Sequence, residues 1–293
     1  MDRGTPMSRW SILLVFATRA AVADPLVATT STREDVVAAE AQLGLATAPF
    51  DAMAFGEAKG QAFVITLDGS HALGSNAAIG IRAPFVIASV AQPAGSYVDD
   101  ATLANPQLRG AYRWLTSGMT IVGGLDIAAP LAGHGATLMQ NRALAIANAV
   151  EGLGYPDLFT PGVVSLTPFA SVQWRSLPWS IDGMARLPLL VRVAEANMPR
   201  TNDVGLAGVL DLEGRRQMTR RLALAAAIRL TVDVRPVVDH ARSLSRVQDL
   251  ERLGLGIRIN GRAVLNIELQ SALGGELAGS MFGLGVRSVV TLP

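Results

Sequence analysis

Apolar and polar residues alternate with a period of two along most of the chain, and the pattern is clearest from Arg221 to Arg235. Leu222, Leu224, Ala226, Ile228, Leu230, Val232 and Val234 fall on one side. Arg221, Ala223, Ala225, Ala227, Arg229, Thr231, Asp233 and Arg235 fall on the other. Successive strand residues point to opposite faces, so this segment predicts a strand with one wholly apolar face and one face of small and charged residues. Leu253, Leu255, Ile257 and Ile259 repeat the pattern against Arg252, Gly254, Gly256, Arg258 and Asn260. Leu265, Ile267 and Leu269 then oppose Asn266, Glu268 and Gln270, with Asn260-Gly261 between the two runs as a tight hairpin turn.

Earlier segments follow suit. Phe63, Ile65 and Leu67 oppose Thr66 and Asp68, and Ile79, Ile81, Phe85 and Ile87 oppose Gly80, Arg82 and Ala88, joined by Gly74-Ser75-Asn76. Leu108, Tyr112 and Trp114 oppose Arg109 and Arg113. After Ser117-Gly118, Ile121, Leu125 and Ile127 flank Asp126. Val172 and Trp174 oppose Ser171, Gln173 and Arg175, and Leu187, Leu189, Val191 and Val193 oppose Arg186 and Arg192. Leu206, Leu210 and Leu212 oppose Asp211 and Glu213, and a weaker alternation closes the chain from Met281 to Leu292.

Turns near residues 74, 117, 177, 219 and 260 are short, whereas links at 91 to 105, 134 to 161, 196 to 203, 236 to 248 and 272 to 280 are longer and polar. Transmembrane barrels alternate connections in this way, with short periplasmic turns and long outer loops. An antiparallel up-and-down barrel with its N-terminus in the periplasm then needs one strand before residues 61 to 72, and residues 43 to 55 supply it. The expected total is about twelve strands, with ten or fourteen as the alternatives. Within the longest link, Leu138, Ala143, Ile146, Ala147, Val150 and Leu153 recur at helical spacing. This short helix either caps the outer rim or folds into the lumen as a constriction.

Composition decides what the apolar face touches. The chain has 293 residues, 50% of them hydrophobic and 17% charged, with a formal net charge of +1 and a mean hydropathy of +0.34. That is too apolar for disorder or for a nucleic-acid partner. After the first thirty residues no apolar run reaches the roughly 18 residues that a membrane helix needs. A soluble β-sandwich or lipocalin-like barrel would carry a dense polar face, but here that face is thinned by Gly and Ala and the chain has almost no lysine. Outer-membrane lipid is therefore the expected partner of the leucine-rich face, and Tyr112, Trp114, Trp174 and Trp179 are candidates for an interfacial girdle, with core aromatics as the alternative. Arg3 and Arg9, the apolar run Ser11 to Ala17 and Ala21-Val22-Ala23 read as an export signal over residues 1–23, with Met1 or Met7 as the start. Residues 24–42 are expected to be a periplasmic tail or small plug, and 43–293 the barrel of a Gram-negative outer membrane.

Candidate chemistry is sparse. There is no cysteine, and His71, His134 and His240 fall in or beside turns and loops without partners at metal spacing. Ser70 and His71 are adjacent on a strand and point to opposite faces, a poor geometry for a catalytic dyad. No cofactor is expected, and a hydrolase is the least favoured reading. The informative residues are the charges on the small-residue face: Arg82, Arg109, Arg113, Asp126, Arg175, Arg186, Arg192, Asp211, Glu213, Arg229, Asp233, Arg258 and Glu268. An Arg facing hydrocarbon at the midplane costs about 2 to 4 kcal/mol, which assigns these charges to a lumen. There they either cross-link facing strands through ion pairs in a barrel that conducts little, or line a passage suited to carboxylate or phosphate solutes.

The stretch Gly74-Ser75-Asn76, Ile79-Gly80-Ile81-Arg82-Ala83-Pro84-Phe85-Val86 and Asn105-Pro106-Gln107-Leu108-Arg109-Gly110-Ala111-Tyr112-Arg113-Trp114 resembles a hairpin of proteobacterial outer-membrane transporter-like barrels, the type named for phenol-degradation pathways or as uncharacterised transporters. The chain departs from that pattern at Asn105-Pro106, where Gly-Asp is usual, and at Leu292-Pro293, where such barrels commonly end in an aromatic. The resemblance implies a barrel inserted by the barrel assembly machinery. Together these readings predict passive passage of small, anionic solutes without catalysis, and a non-conducting adhesive or structural barrel as the alternative.

Overall fold

The structure, a computed structural model, describes residues 35–48, 58–91, 96–132, 138–193, 202–235, 247–259, 263–275 and 277–292. The predicted export signal, His134, His240 and the Asn260-Gly261 turn lie outside these residues. The strands in chain order are β1 (Val36–Ala48), β2 (Ala58–Leu73), β3 (Ala77–Ala91), β4 (Tyr97–Leu103), β5 (Gln107–Thr116), β6 (Met119–Ala128) and β7 (Val163–Ser176), followed by β8 (Trp179–Arg186), β9 (Leu189–Arg192), β10 (Val204–Gln217), β11 (Leu222–Arg235), β12 (Val247–Ile259), β13 (Ala263–Ser271) and β14 (Phe282–Thr291). Two of these pairs are single staves broken at a proline, which has no N–H to give the ladder. The β4 and β5 segments flank Pro106 and both pair with β3, while β8 and β9 flank Pro188 and both pair with β7 and β10.

Twelve antiparallel staves result, and the sheet closes on itself where β1 pairs with β14, from Val36↔Thr291 to Leu45↔Phe282. Closure leaves no sheet edge and, among the described residues, no second layer for the outer face to rest on. That face is the leucine-rich one: Leu67, Ile81, Leu108 and Leu253 are 56%, 59%, 58% and 67% exposed, whereas Asp126, Arg229 and Asp211 are buried inside. An apolar exterior around a polar interior inverts a soluble protein and matches a barrel solvated by lipid. Tyr112, Trp114, Trp174 and Trp179 all face outward near the turns at Ser117-Gly118 and Leu177-Pro178, on the rim where β1 begins and β14 ends. Gly74 and Gly118 adopt φ of +80° and +88° at the short turns of this rim, a conformation that glycine reaches without steric cost.

Three boundaries differ from the sequence pattern. The first strand begins at Val36 rather than near 43, so residues 36–42 belong to the wall; Val37, Leu43 and Leu45 point out, and their modest alternation is diluted by alanines. The expected link at 91 to 105 contains β4, whose polar residues Asp99 and Asp100 extend β3's partner stave past the apolar belt. The long connection holds two helices rather than one, α1 (Leu138–Val150) and the single turn α2 (Pro156–Phe159).

Of the two placements open for α1, the structure shows the inner one. The helix packs against β1, β2, β3 and β4, and Ala143, Leu144, Ile146, Ala147, Ala149 and Val150 are fully buried with Ala46, Ala62, Val64, Val86, Ala88 and Val90 of the wall. The wall gives way for it. A Cβ on Gly44 would lie 2.5 Å from Val150 Cγ1, and one on Gly60 would lie 2.8 Å from Ile146 Cδ1.

Candidate functional site

Staves joined by short turns bring oppositely charged residues face to face. Asp68 and Arg82 are direct partners in the β2–β3 register and bond at 2.7 Å. Arg109 and Asp126 are partners across β5–β6 and form a two-point pair, Nε to Oδ1 and Nη2 to Oδ2, both at 2.7 Å. Asp211 and Arg229 are partners across β10–β11, with Nε donating to Oδ1 at 2.7 Å, and Arg252 Nη2 of the next stave reaches the same oxygen at 3.1 Å. Around the remaining wall Arg252 lies 3.8 Å from Glu268, Arg287 lies 3.5 Å from Glu40, and Arg215 donates to Glu213 at 2.5 Å. Apart from Arg215–Glu213, which lies within β10, these pairs stitch one stave to another at mid-depth. Deleting one member of a buried pair costs about 3 to 5 kcal/mol because the other charge stays behind without water.

Not every predicted lumen residue sits in this belt. Arg113 lies close to the short-turn rim and donates to the Ser75 carbonyl at 3.4 Å, while Arg175 and Arg258 are exposed at the same rim. Arg192 and Asp233 are half-buried near the long-loop end of β9 and β11. At the short-turn end, His71 Nδ1 lies 2.8 Å from Asp35 Oδ1. The Asp35 carboxyl, just ahead of β1, is held below its ordinary value by that contact and by the Ala72 N–H.

Above the belt the connection between β6 and β7 runs through the bore. Helix α1 ends at a left-handed pair, Gly152 at φ +62° and Leu153 at φ +55°, and the Leu153 N–H closes back on the Asn148 carbonyl at 2.8 Å. Gln270 of β13 donates to the Val150 carbonyl at 3.0 Å and to Gln42 at 3.1 Å, tying the helix end to the wall. The chain then crosses the lumen. Tyr155 lies at its centre with three guanidinium groups around the ring: Arg229 at 4.5 Å, Arg186 at 4.6 Å and Arg82 at 5.5 Å. Arg229 also donates to the Tyr155 hydroxyl at 3.1 Å and to the Glu151 carbonyl at 3.0 Å. Each guanidinium over a ring face contributes about 0.5 to 2 kcal/mol, more as water is excluded.

Past Tyr155, the Asp157 carboxylate accepts from Arg186 Nη2 at 2.5 Å, Gln107 Nε2 at 2.8 Å and Thr167 Oγ1 at 3.2 Å. The break between β4 and β5 serves this segment, because Asn105, freed from the ladder and fully buried, holds the loop at both ends. Its amide donates to the Asp157 and Thr160 carbonyls at 3.1 and 2.9 Å, and its oxygen accepts from the Ala132 N–H at 2.7 Å.

Sequence reasoning placed Arg82, Arg186 and Arg229 on the inner face but gave no role to Glu151, Tyr155, Asp157 or Asn105. The signal for a buried loop lay in α1 itself. Apart from Gln140, Asn141, Arg142 and Asn148 the helix is apolar on every side, which suits an enclosed helix better than a rim cap. The small inner-face residues of β1, β2 and β3, Gly44, Ala46, Gly60, Ala62 and Ala88, are the counterpart of that helix.

No protein-family model matches the chain, and no curated protein sequence matches it. Solved structures do. The COG4313 outer membrane channel from Pseudomonas putida F1 superposes with a TM-score of 0.65 at 12% identity, covering 92% of this chain and 100% of that one. The NanC porin gives 0.52 at 9% identity over 87% of this chain and 100% of that one. The transport unit of the autotransporter AIDA-I from Escherichia coli gives 0.51 at 9% identity over 96% and 97%. The chain therefore has the fold of outer-membrane β-barrels.

Proposed function

We propose that this chain is a channel of a Gram-negative outer membrane that passes small, anionic solutes by diffusion, closed in the conformation described by the connection between β6 and β7. The observation that carries the reading is what fills the bore. About eight staves make a barrel that wall side chains can fill alone, whereas a larger one encloses a cavity or channel. Here twelve staves, pared on the inside to Gly, Ala and Val, leave room for a separate segment that contributes α1, Tyr155 and Asp157. A scaffold that needed only rigidity could be narrower. Residues 1–23 would be removed on export, residues 24 to 34 would remain as a periplasmic tail or plug, and the barrel assembly machinery would insert the staves. The wall arginines would favour carboxylate or phosphate solutes through paired N–H donors. The hairpin resemblance to phenol-degradation-pathway transporters bears on cargo only at the level of small organic solutes.

The second reading is a non-conducting barrel that anchors its outer loops, and the buried ion pairs around the bore favour it. Recording from the refolded chain in planar lipid bilayers separates the two. The channel reading expects discrete conductance steps, and it expects Arg258→Glu, exposed at the rim, to shift selectivity toward cations without loss of folding. Arg229→Glu, set beside Asp211, would produce a larger shift together with loop release. Bilayers that stay silent with wild type and with loop-releasing variants would establish the anchor instead.

A further inference from the structure

The Asp157 carboxylate occupies a receptor that belongs to the wall. Its three donors come from separate staves, Gln107 of β5, Thr167 of β7 and Arg186 of β8, and Gln107, Thr167, Arg186 and Asp157 are all buried. Arg186 differs from its neighbours. Arg82, Arg109 and Arg229 each bond to a wall carboxylate, whereas the hydrogen bonds of Arg186 among the described residues go to the loop, to Asp157 and to the Gly154 carbonyl at 3.1 Å. The fit is also incomplete. Asp157 Oδ1, Arg186 Nε and Gln107 Oε1 are buried without a hydrogen-bond partner, so a guanidinium that can hold both oxygens of a carboxylate through Nε and Nη2 holds one. The Asp157 backbone is fixed by the single turn of α2 and by the Asn105 amide on its carbonyl, so the carboxylate meets the pocket from one tethered position, with its second oxygen off Nε. A small carboxylate that is not tethered can.

We infer that the Gln107–Thr167–Arg186 pocket is a binding site for a small carboxylate solute and that Asp157 is its tethered stand-in, so that solute binding and loop release are one competition. The inference rests on the channel reading and names the solute class for that same bore. Withdrawal of Asp157 leaves Arg186 as a buried charge with no wall carboxylate bonded to it, which makes the emptied site unfavourable and couples opening to the arrival of an anion. The loop closes the bore in the absence of solute and yields to it.

The test uses the absence of cysteine from the chain. Ser165 faces inward two residues from Thr167 on β7, is fully buried, and its hydroxyl has no hydrogen-bond partner, so Ser165→Cys places a unique thiol beneath the loop. The full chain, refolded in lipid vesicles, is labelled with a small water-soluble maleimide while sodium acetate replaces sodium chloride at constant ionic strength. The expected result is an acceleration by acetate that saturates. Asp157→Asn in the same background should speed labelling without acetate and lower the half-saturating acetate concentration about tenfold. Arg186→Lys, which keeps the charge and loses the fork, should raise it by a similar factor, and Arg186→Gln should abolish the response. Labelling that stays constant as acetate replaces chloride, or an acetate response unchanged in both Arg186 variants, would overturn the site. Bilayer conductance separates this failure from that of the channel reading. Conductance without acetate-dependent labelling would remove the site and leave the channel, and acetate-dependent labelling without conductance would do the reverse.

Discussion

A guanidinium facing a carboxylate across a hairpin is fixed by arithmetic, because residues equally distant from a tight turn become partners in the ladder. Asp68 and Arg82 flank the turn at 74–76, Arg109 and Asp126 the turn at 117–118, and Asp211 and Arg229 the turn at 218–221, so these pairs are legible once the turns are found. Arg186 and Asp157 are not, since no local rule brings a loop carboxylate to a wall arginine. Arg109→Leu should destabilise the barrel by about 3 to 5 kcal/mol in urea unfolding, because Asp126 stays fully buried without its two-point partner. The double variant Arg109→Leu/Asp126→Leu should recover most of that loss, and additive losses instead would show that the pair is not coupled. Asn105→Ala removes the three hydrogen bonds that hold the loop at both ends, and should loosen it by about 1 to 3 kcal/mol, read as faster proteolysis near residue 160 in an otherwise folded barrel.

At the scale of elements, most staves follow from alternation, β1 and β4 being the exceptions, while α1 follows from a complementarity that alternation hides. Gly44 and Gly60 read as gaps in an inner face, yet each is a seat for a helix side chain. Gly44→Leu should therefore expel α1 and raise bilayer conductance several-fold, since the new side chain overlaps Val150 and the wall strand cannot retreat from its two neighbours. Gly110→Leu is the control, because Gly110 is exposed on the outer face and a Cβ there meets nothing within 4 Å. Equal conductance from both variants would mean that α1 does not close the bore. The breaks at Pro106 and Pro188 were visible as prolines, but their use was not, because only the folded loop shows that Asn105 is released to hold it.

For the whole molecule, the defining balance is between a belt of exposed Leu, Ile, Val and Phe and a bore of paired charges. Leu253, 67% exposed on the outside of β12, should tolerate Ala but cost about 2 to 4 kcal/mol as Leu253→Arg in bilayer unfolding titrations, the penalty shrinking toward the rims. A penalty independent of the lipid would show that something other than hydrocarbon covers this face. The likeness in fold to the Pseudomonas putida F1 COG4313 channel at 12% identity shows how little residue identity this balance needs. Two chains that share apolar residues outward and polar residues inward reach the same barrel with few identical residues.

The amino-acid sequence by itself determined the number of staves, the facing of those that alternate clearly and the residues that pair across the short hairpins, but not the start of β1 or the presence of β4, because strand periodicity and turn chemistry act over a few residues at a time. Tertiary structure alone decided that the longest connection enters the bore, that Tyr155 lies among Arg82, Arg186 and Arg229, and that Asp157 fills a wall pocket. Those contacts join residues far apart in the chain. They form only after closure has created an enclosed space in which buried charge and apolar helix must each find a partner.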